Sequence, residues 1–304
     1  MGERYASLAM YSFQPLRAAW EAWWSAVGAS CPALGVPLRW DGDLTQHWTD
    51  PDCVLSHTCG YPASTSLAGI VRVVGAFEFD VPEAHGHRYR SVIVARDGAS
   101  LKADDGLEHA TVAVNSDDSL SGWISLRCVL RSHGVGAPGA VEWTGSHLES
   151  VRAVADGRAS LASIDSVTWA HIERLHTQLA ESVHVVGAGP LVPSTPLVVP
   201  VSTPDALVDD ARAAIVHAVD AAGATTRESL RITGFVPLDD RRLRRGPRPL
   251  TRRPYLRSGG GGSRYPAFRY LQNVRVWGSI MERSCGKFGI AAADGRPEGN
   301  REEP

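Results

Sequence analysis

Apolar residues recur along this chain with two periods in turn, and their order predicts strands alternating with helices. Residues 5–11 form a short, mostly apolar strand candidate. After Pro15, the residues Leu16, Ala19, Trp20, Trp23 and Trp24 recur at i, i+3, i+4 spacing, which is one buried face of a helix. Tryptophans at that spacing belong to a core rather than to a stacking platform. Residues 38–41 and 53–59 read as further strands, the second a nearly continuous apolar run suited to a sheet covered on both faces. Residues 70–79 and 89–96 continue the strand content. Beyond residue 100 the alternation is regular, with strands at 111–115, 140–143 and 159–164, each followed by a helix, at 121–132, 147–155 and 166–175. Such alternation implies parallel sheets built from right-handed crossovers. One more amphipathic helix spans 203–221, with Thr203 as its N-cap and Pro204 at its first position.

Composition narrows the class. A chain of 304 residues with 43% hydrophobic and 21% charged positions is globular and has room for about two domains, which excludes disordered, collagen-like and disulfide-scaffold readings. The charge-free stretch 182–204 contains Pro190, Pro193, Pro196, Pro200 and Pro204, so it reads as two short strands with connectors and not as a membrane span. The net charge of −2 hides an asymmetry: residues 1–240 hold 16 basic and 28 acidic groups, residues 241–304 hold 15 and 5. Apolar periodicity ends near Leu238. The tail 241–304, rich in Arg, Gly and Pro with a linker-like run at 259–262, is expected to be poorly ordered and unnecessary for folding of the body. A shifted reading frame in GC-rich DNA gives the same composition. Aromatic interleaving is limited to Tyr255, Tyr265, Phe268 and Tyr270, so no nucleic acid partner is expected.

Five cysteines, at 31, 53, 59, 128 and 285, are an odd number without C-x-x-C spacing, which leaves at least one thiol unpaired within a monomer. Residues 1–11 show no basic start followed by an apolar run, so the chain as written reads as cytoplasmic or as lacking a leader. His57, Cys59, His85 and His87 have neither a nearby carboxylate nor helical i, i+4 spacing, and no metal is expected there. Cys59 with His57 is the nearest approach to a nucleophile and base, but nothing identifies an orienting acid. Phosphate-cradling and nucleophile-elbow motifs of the G-x-x-x-x-G-K and G-x-S-x-G types are missing from the sequence.

Three segments share a layout in which a strand ends in small hydroxyl residues or glycine at a helix start: residues 115–122, residues 144–147 and the pair Asp165-Ser166. Helix N-termini expose unpaired N–H groups and positive dipole ends, so hydroxyls beside them favour anions. The plainer reading makes Ser121, Thr144 and Ser166 ordinary N-caps. Three on consecutive crossovers converge on one sheet edge, where ligands bind in open α/β sheets, and that favours the anion site. His147 follows a Gly-Ser pair at a helix start, where its ring is placed to donate to an anion and gain charge as it does so.

Taken in order, the run Thr58-Cys59-Gly60-Tyr61-Pro62, then Tyr89-Arg90-Ser91, Asn115 with Ser119-Leu120-Ser121-Gly122, Thr144-Gly145-Ser146-His147 with Ser150, Val154 and Gly157, and Ile164-Asp165 resembles the phosphate, phosphite and phosphonate-binding components of ABC transporters. The resemblance covers residues 5 to 235. It implies an α/β, type II periplasmic-binding-protein clamshell of two lobes, each a mainly parallel sheet flanked by helices. Lobe one would take residues 1–90 and 191–240, lobe two residues 91–190, with crossovers near 91–96 and 190–195. It further implies an oxyanion held by Ser119, Ser121, Gly122, Thr144, Ser146 and His147, with Tyr61 and Tyr89 contributing from the facing lobe and hinge. Asp165 would read the far end of the ligand, and the plainer alternative makes it the N-cap of the helix after Ser166. Leu120 departs from the family's hydroxyl-rich turn.

The function this implies is non-enzymatic binding of phosphate, phosphite or phosphonate, without cofactor, by a monomer that meets an ABC transporter permease on the periplasmic or extracellular face. A cytosolic ligand sensor is one alternative. An enzyme resembling the thiamine-pyrimidine precursor synthases is another, but it would need a lysine for pyridoxal phosphate, and the body offers only Lys102.

Overall fold

The computed structural model describes residues 2–96, 101, 106–240 and 243. In chain order the elements are β1 (Tyr5–Ser7), α1 (Arg17–Ser30), α2 (Leu44–Thr49), β2 (Cys53–His57), α3 (Gly60–Ser64), β3 (Val71–Phe79), β4 (Arg88–Tyr89), β5 (Ser91–Ala95) and β6 (Thr111–Val114). They continue with α4 (Ser125–Ser132), β7 (Ala140–Trp143), α5 (His147–Ala155), β8 (Leu161–Asp165), α6 (Ser166–Leu175), α7 (Thr177–Glu181), β9 (His184–Ala188), β10 (Val192–Pro193), β11 (Pro196–Pro200), α8 (Asp205–Ala221), α9 (Ala224–Leu230) and β12 (Ile232–Pro237). The tail segment 259–262, Cys285 and Lys102 lie outside the described residues.

Two five-stranded sheets carry the fold, ordered β1-β2-β11-β3-β12 and β7-β6-β8-β5-β9, with a two-stranded ribbon of β4 and β10. This is the two-lobed type II clamshell. In the second sheet β6, β7 and β8 are parallel, and β9 runs with them because β5 pairs antiparallel with both β8 and β9. The first sheet follows the same logic: β1, β2 and β3 point one way, while β11 and β12 run against them. The reversed strands β5 and β11 are the two that enter a sheet directly after the β4 and β10 ribbon.

Several local expectations shift. Pairing in residues 5–11 stops at Ser7 and a 3-10 turn, Ala9–Tyr11, follows, so Tyr11 is turned inward. Residues 38–41 give only an isolated bridge from Leu38 to Ala6. The helix expected from 203 starts at Asp205, with Pro204 rather than Thr203 in the cap position.

Trp20, Trp23 and Trp24 are buried on α1, with edge-on contacts from Phe77 to Trp23, Phe79 and Phe235. A second lining of this core comes from Val167 and Ala170 on α6, a helix that follows a strand of the other sheet. The two sheets therefore share apolar contact rather than meeting only through the ribbon. Leu243 is buried in a cluster with Trp48, Ala63, Leu67, Val71, Val73, Val198 and Leu238. Among the described residues no helix is long and apolar enough to cross a membrane.

Two histidines lie wholly inside. His57, at the end of β2, sits among Tyr11, Trp20 and Phe77, and burial pushes its pKa down to about 4. His171 on α6 packs against Phe13, neither ring nitrogen has a hydrogen-bond partner, and burial, with Arg174 and Arg231 nearby, lowers it to about 3.

Two outcomes are expected. Ending the chain after Asp240 rather than after Leu243 deletes a buried leucine and should lower the unfolding free energy by about 2–4 kcal/mol, read from urea melts. Both histidines fold neutral, with pKa values below the unfolded value of about 6.5. Their contribution is therefore complete above pH 6.5 and is lost as pH falls toward 4, at about 1.4 kcal/mol per pH unit for each histidine. His171→Phe should flatten the stability profile between pH 6.5 and 5. An unchanged slope would show that His171 does not fold in the neutral form.

Candidate functional site

Because β6, β7 and β8 are parallel, their carboxyl ends share one edge, and the chain leaves each of them into a helix start. After β6, residues Leu120–Ile124 form a π-helical turn that runs into α4, with Ser119 as its cap: Gly122 N–H donates to Ser119 Oγ at 2.9 Å. π-turns of this kind concentrate at functional sites. Gly122 is required, since a Cβ there would overlap Asn115 Oδ1. After β7, Ser146 caps α5 by accepting from Glu149 N–H at 3.2 Å. After β8, Asp165 Oδ1 accepts from Thr168 N–H at 2.8 Å. The caps are thus Ser119, Ser146 and Asp165, not Ser121, Thr144 and Ser166. An N-cap needs extended backbone, and each sits at the last extended position before its helical turn.

That shift leaves Ser121 available. Its hydroxyl meets His147 Nε2 at 2.9 Å, joining the β6 and β7 connections, and Ser163 Oγ donates to the Ser121 carbonyl at 2.5 Å from β8. Burial lowers the His147 pKa, which the nearby Asp165 carboxylate partly offsets, and so works against the charged ring that the sequence suggests. Its Nδ1 is buried without a hydrogen bond of normal geometry, although the Ser163 backbone lies close enough to favour the charged ring. Thr144 is spent locally, with its hydroxyl against the Val114 and Ser146 carbonyls and 2.6 Å from Ser150 Oγ.

The facing side is built from the first sheet and the ribbon. Tyr11 hydroxyl lies 3.1 Å from Asp165 Oδ2 and 3.2 Å from Thr195 Oγ1, and Thr195 Oγ1 lies 2.9 Å from His57 Nε2. This buried line crosses from the end of β2 to the end of β8. Tyr89 is also buried and faces Asp165, and both tyrosine hydroxyls are held well above their ordinary pKa by burial and by that carboxylate. Tyr61, half-buried, rests with Trp123 on a cluster of Cys59, Tyr89, Leu120, Ile124 and Val192. Leu120 thus occupies the meeting of the two lobes, and its backbone N–H donates to Cys59 Sγ at 3.3 Å. Burial pushes the Cys59 thiol up to about 11, so it stays protonated at neutral pH, and His57 is engaged by Thr195.

The structure therefore gathers Ser119, Ser121, Gly122, His147, Asp165, Tyr89 and Tyr61 near the carboxyl edge of β6, β7 and β8, and leaves Thr144 and Ser146 in the capping turn of α5. Sequence reasoning missed Tyr11 and Thr195. Thr58, Ser91 and Ser166, which the sequence places in the same motifs without a role in binding, have hydroxyls buried without a protein partner next to these residues. Ser91 pairs directly with Asp165 across β5 and β8, a juxtaposition that spacing along the chain does not carry. Among the described residues no group of three His, Cys, Asp or Glu side chains is placed to hold a metal.

With that geometry in place, comparison with known proteins is specific. The family model described as ABC transporter, phosphonate, periplasmic substrate-binding protein matches residues 71–243, more than half of the chain. No curated protein sequence matches. Among solved structures, the binding-protein component of an ABC phosphonate transporter from Pseudomonas aeruginosa superposes with a TM-score of 0.64 over 80% of this chain and 84% of that one, at 18% identity. PhnD1 from Prochlorococcus marinus in complex with methylphosphonate gives 0.62 over 79% and 94%, at 13% identity. An ATP-bound protein from Xanthomonas citri gives 0.59 over 79% and 94%, at 15% identity. Identities this low speak to the fold alone. The family match over residues 71–243 goes further: this chain belongs to the phosphonate-binding family of periplasmic substrate-binding proteins of ABC transporters.

Proposed function

We propose that this protein binds a small oxyanion, a phosphonate in the first instance, between its two lobes and delivers it to an ABC transporter permease as a monomer on the periplasmic face. The lobes are residues 1–90 with 191–240, and residues 91–190, hinged at the β4 and β10 ribbon. The observation that carries the reading is the 2.9 Å contact of Ser121 Oγ with His147 Nε2. It brings two helix-start connections together so that a hydroxyl and an imidazole meet at one point. Dipoles of this kind stabilise an anion without a buried countercharge.

Ser119 and Gly122 shape the turn, and Tyr61 and Tyr89 close on the anion from the other lobe and hinge. Asp165 holds Tyr11 and Tyr89 in position, so lobe closure and tyrosine placement are one event of the hinge type. The methylphosphonate in the Prochlorococcus marinus protein is the ligand class these groups suit.

Titration calorimetry with methylphosphonate, phosphite and phosphate tests the reading. Ser121→Ala and His147→Ala should each weaken the bound anion about tenfold or more, since hydrogen bonds to charged groups contribute about 1.5–3 kcal/mol. Unchanged affinity in both variants would remove this pair from the site. Thermal shift gives an independent readout, as a ligand at about 100 times its dissociation constant adds about 2.7 kcal/mol of stability.

A further inference from the structure

Two cross-links join the β6 and β7 connections, and the proposed function uses only one. The polar link is Ser121 to His147. The second is aromatic: Trp123, two residues after Ser121, meets Trp143, four residues before His147, with ring centroids 5.8 Å apart and planes at 70°. Trp143 ends β7, the edge strand of its sheet, and is 54% exposed. The guanidinium of Arg127 sits over the Trp123 ring at 5.3 Å.

The inner end of the cleft is closed by packing. Leu120 is 1% exposed, sits among Cys59, Tyr89, Ile124 and Val192, and lies so near Gly60 that a Cβ there would be 3.1 Å from its Cδ2. Packed side chains thus lie beside Ser121 on the Leu120 side, while Trp143, four residues before His147, lies toward solvent. The edge-to-face arrangement leaves a face of Trp143 open, and a flat ring can stack there. Arg127 on Trp123 makes the same spot unfavourable for a cationic tail.

We infer that the ligand of this protein carries a planar aromatic group beside its phosphonate or phosphate, and that Trp143, supported by Trp123, is the subsite that reads it. This inference rests on the oxyanion reading of the Ser121 and His147 site and names the ligand class for it. An exposed tryptophan on an edge strand is otherwise only a cover against strand pairing, and the experiment separates the two.

Calorimetry on the full chain with methylphosphonate, phenylphosphonate and phenyl phosphate gives the preference directly. The wild type should bind the better aromatic ligand about tenfold or more tightly than methylphosphonate, and whichever aromatic ligand binds more tightly names the source of the anion. Trp143→Ala should abolish that preference while leaving methylphosphonate within twofold, and Trp143→Phe should retain most of it. Equal wild-type affinity for the aromatic ligands and methylphosphonate, or a preference that survives in Trp143→Ala, overturns the aromatic subsite and leaves the oxyanion site standing. Binding of none of the three by the wild type overturns both. Unchanged melting of Trp143→Ala confirms that a lost preference is not a lost fold.

Discussion

Asp165 is a carboxylate buried at the end of β8, between two sheets, and a buried carboxylate needs hydrogen-bond donors around it. Its donors come from three places. Thr168 N–H on its own helix takes one oxygen and Tyr11 hydroxyl from the first sheet takes the other, while Tyr89 faces it from the ribbon. The requirement to satisfy one carboxylate therefore fixes the relation of α6, the turn after β1 and the hinge. Thr195 and His57 extend the same line to the end of β2, so the carboxyl edges of both sheets are held facing each other.

The apolar side of the interface reinforces this without duplicating it. Val167 and Ala170 of α6 belong to the first sheet's core although their helix follows β8. Dispersion and burial there are insensitive to direction, whereas the Tyr11 to Asp165 bond has a narrow geometry. Apolar contact brings the lobes together and the polar line sets their register, which is what a cleft needs if its donors are to meet a small anion at defined distances.

How far the sequence discloses all this depends on the range of each interaction. The strand and helix alternation and the turn at Ser119 to Gly122 are legible because their causes are local: apolar period, small residues and capping chemistry. The shortened β1 and the reversed β5 and β11 are less so, since pairing partners distant in the sequence decide them. Tyr11 illustrates the limit. In the sequence it is the last apolar residue of a strand candidate, and only the fold, by ending that strand at Ser7, turns it to Asp165 at a separation of 154 residues. Leu120 shows the reverse case, visible as a departure from the resembling family's hydroxyl-rich turn but uninterpretable until its neighbours are known.

Those neighbours give the departure a physical meaning. A hydroxyl at position 120 would face Cys59, Tyr89, Ile124 and Val192 and would need a partner in an apolar cluster. Leucine fills that space instead, and its N–H, one of the donors a helix start offers to an anion, is given to Cys59 Sγ. A thiol is a weak acceptor, so the bond does little for stability but does withdraw that N–H from the cleft. In the proposed site the anion would then be met by Ser121 and His147, whose side chains are already in contact. A single residue thus trades a donor at this turn for apolar packing where the two sheets meet.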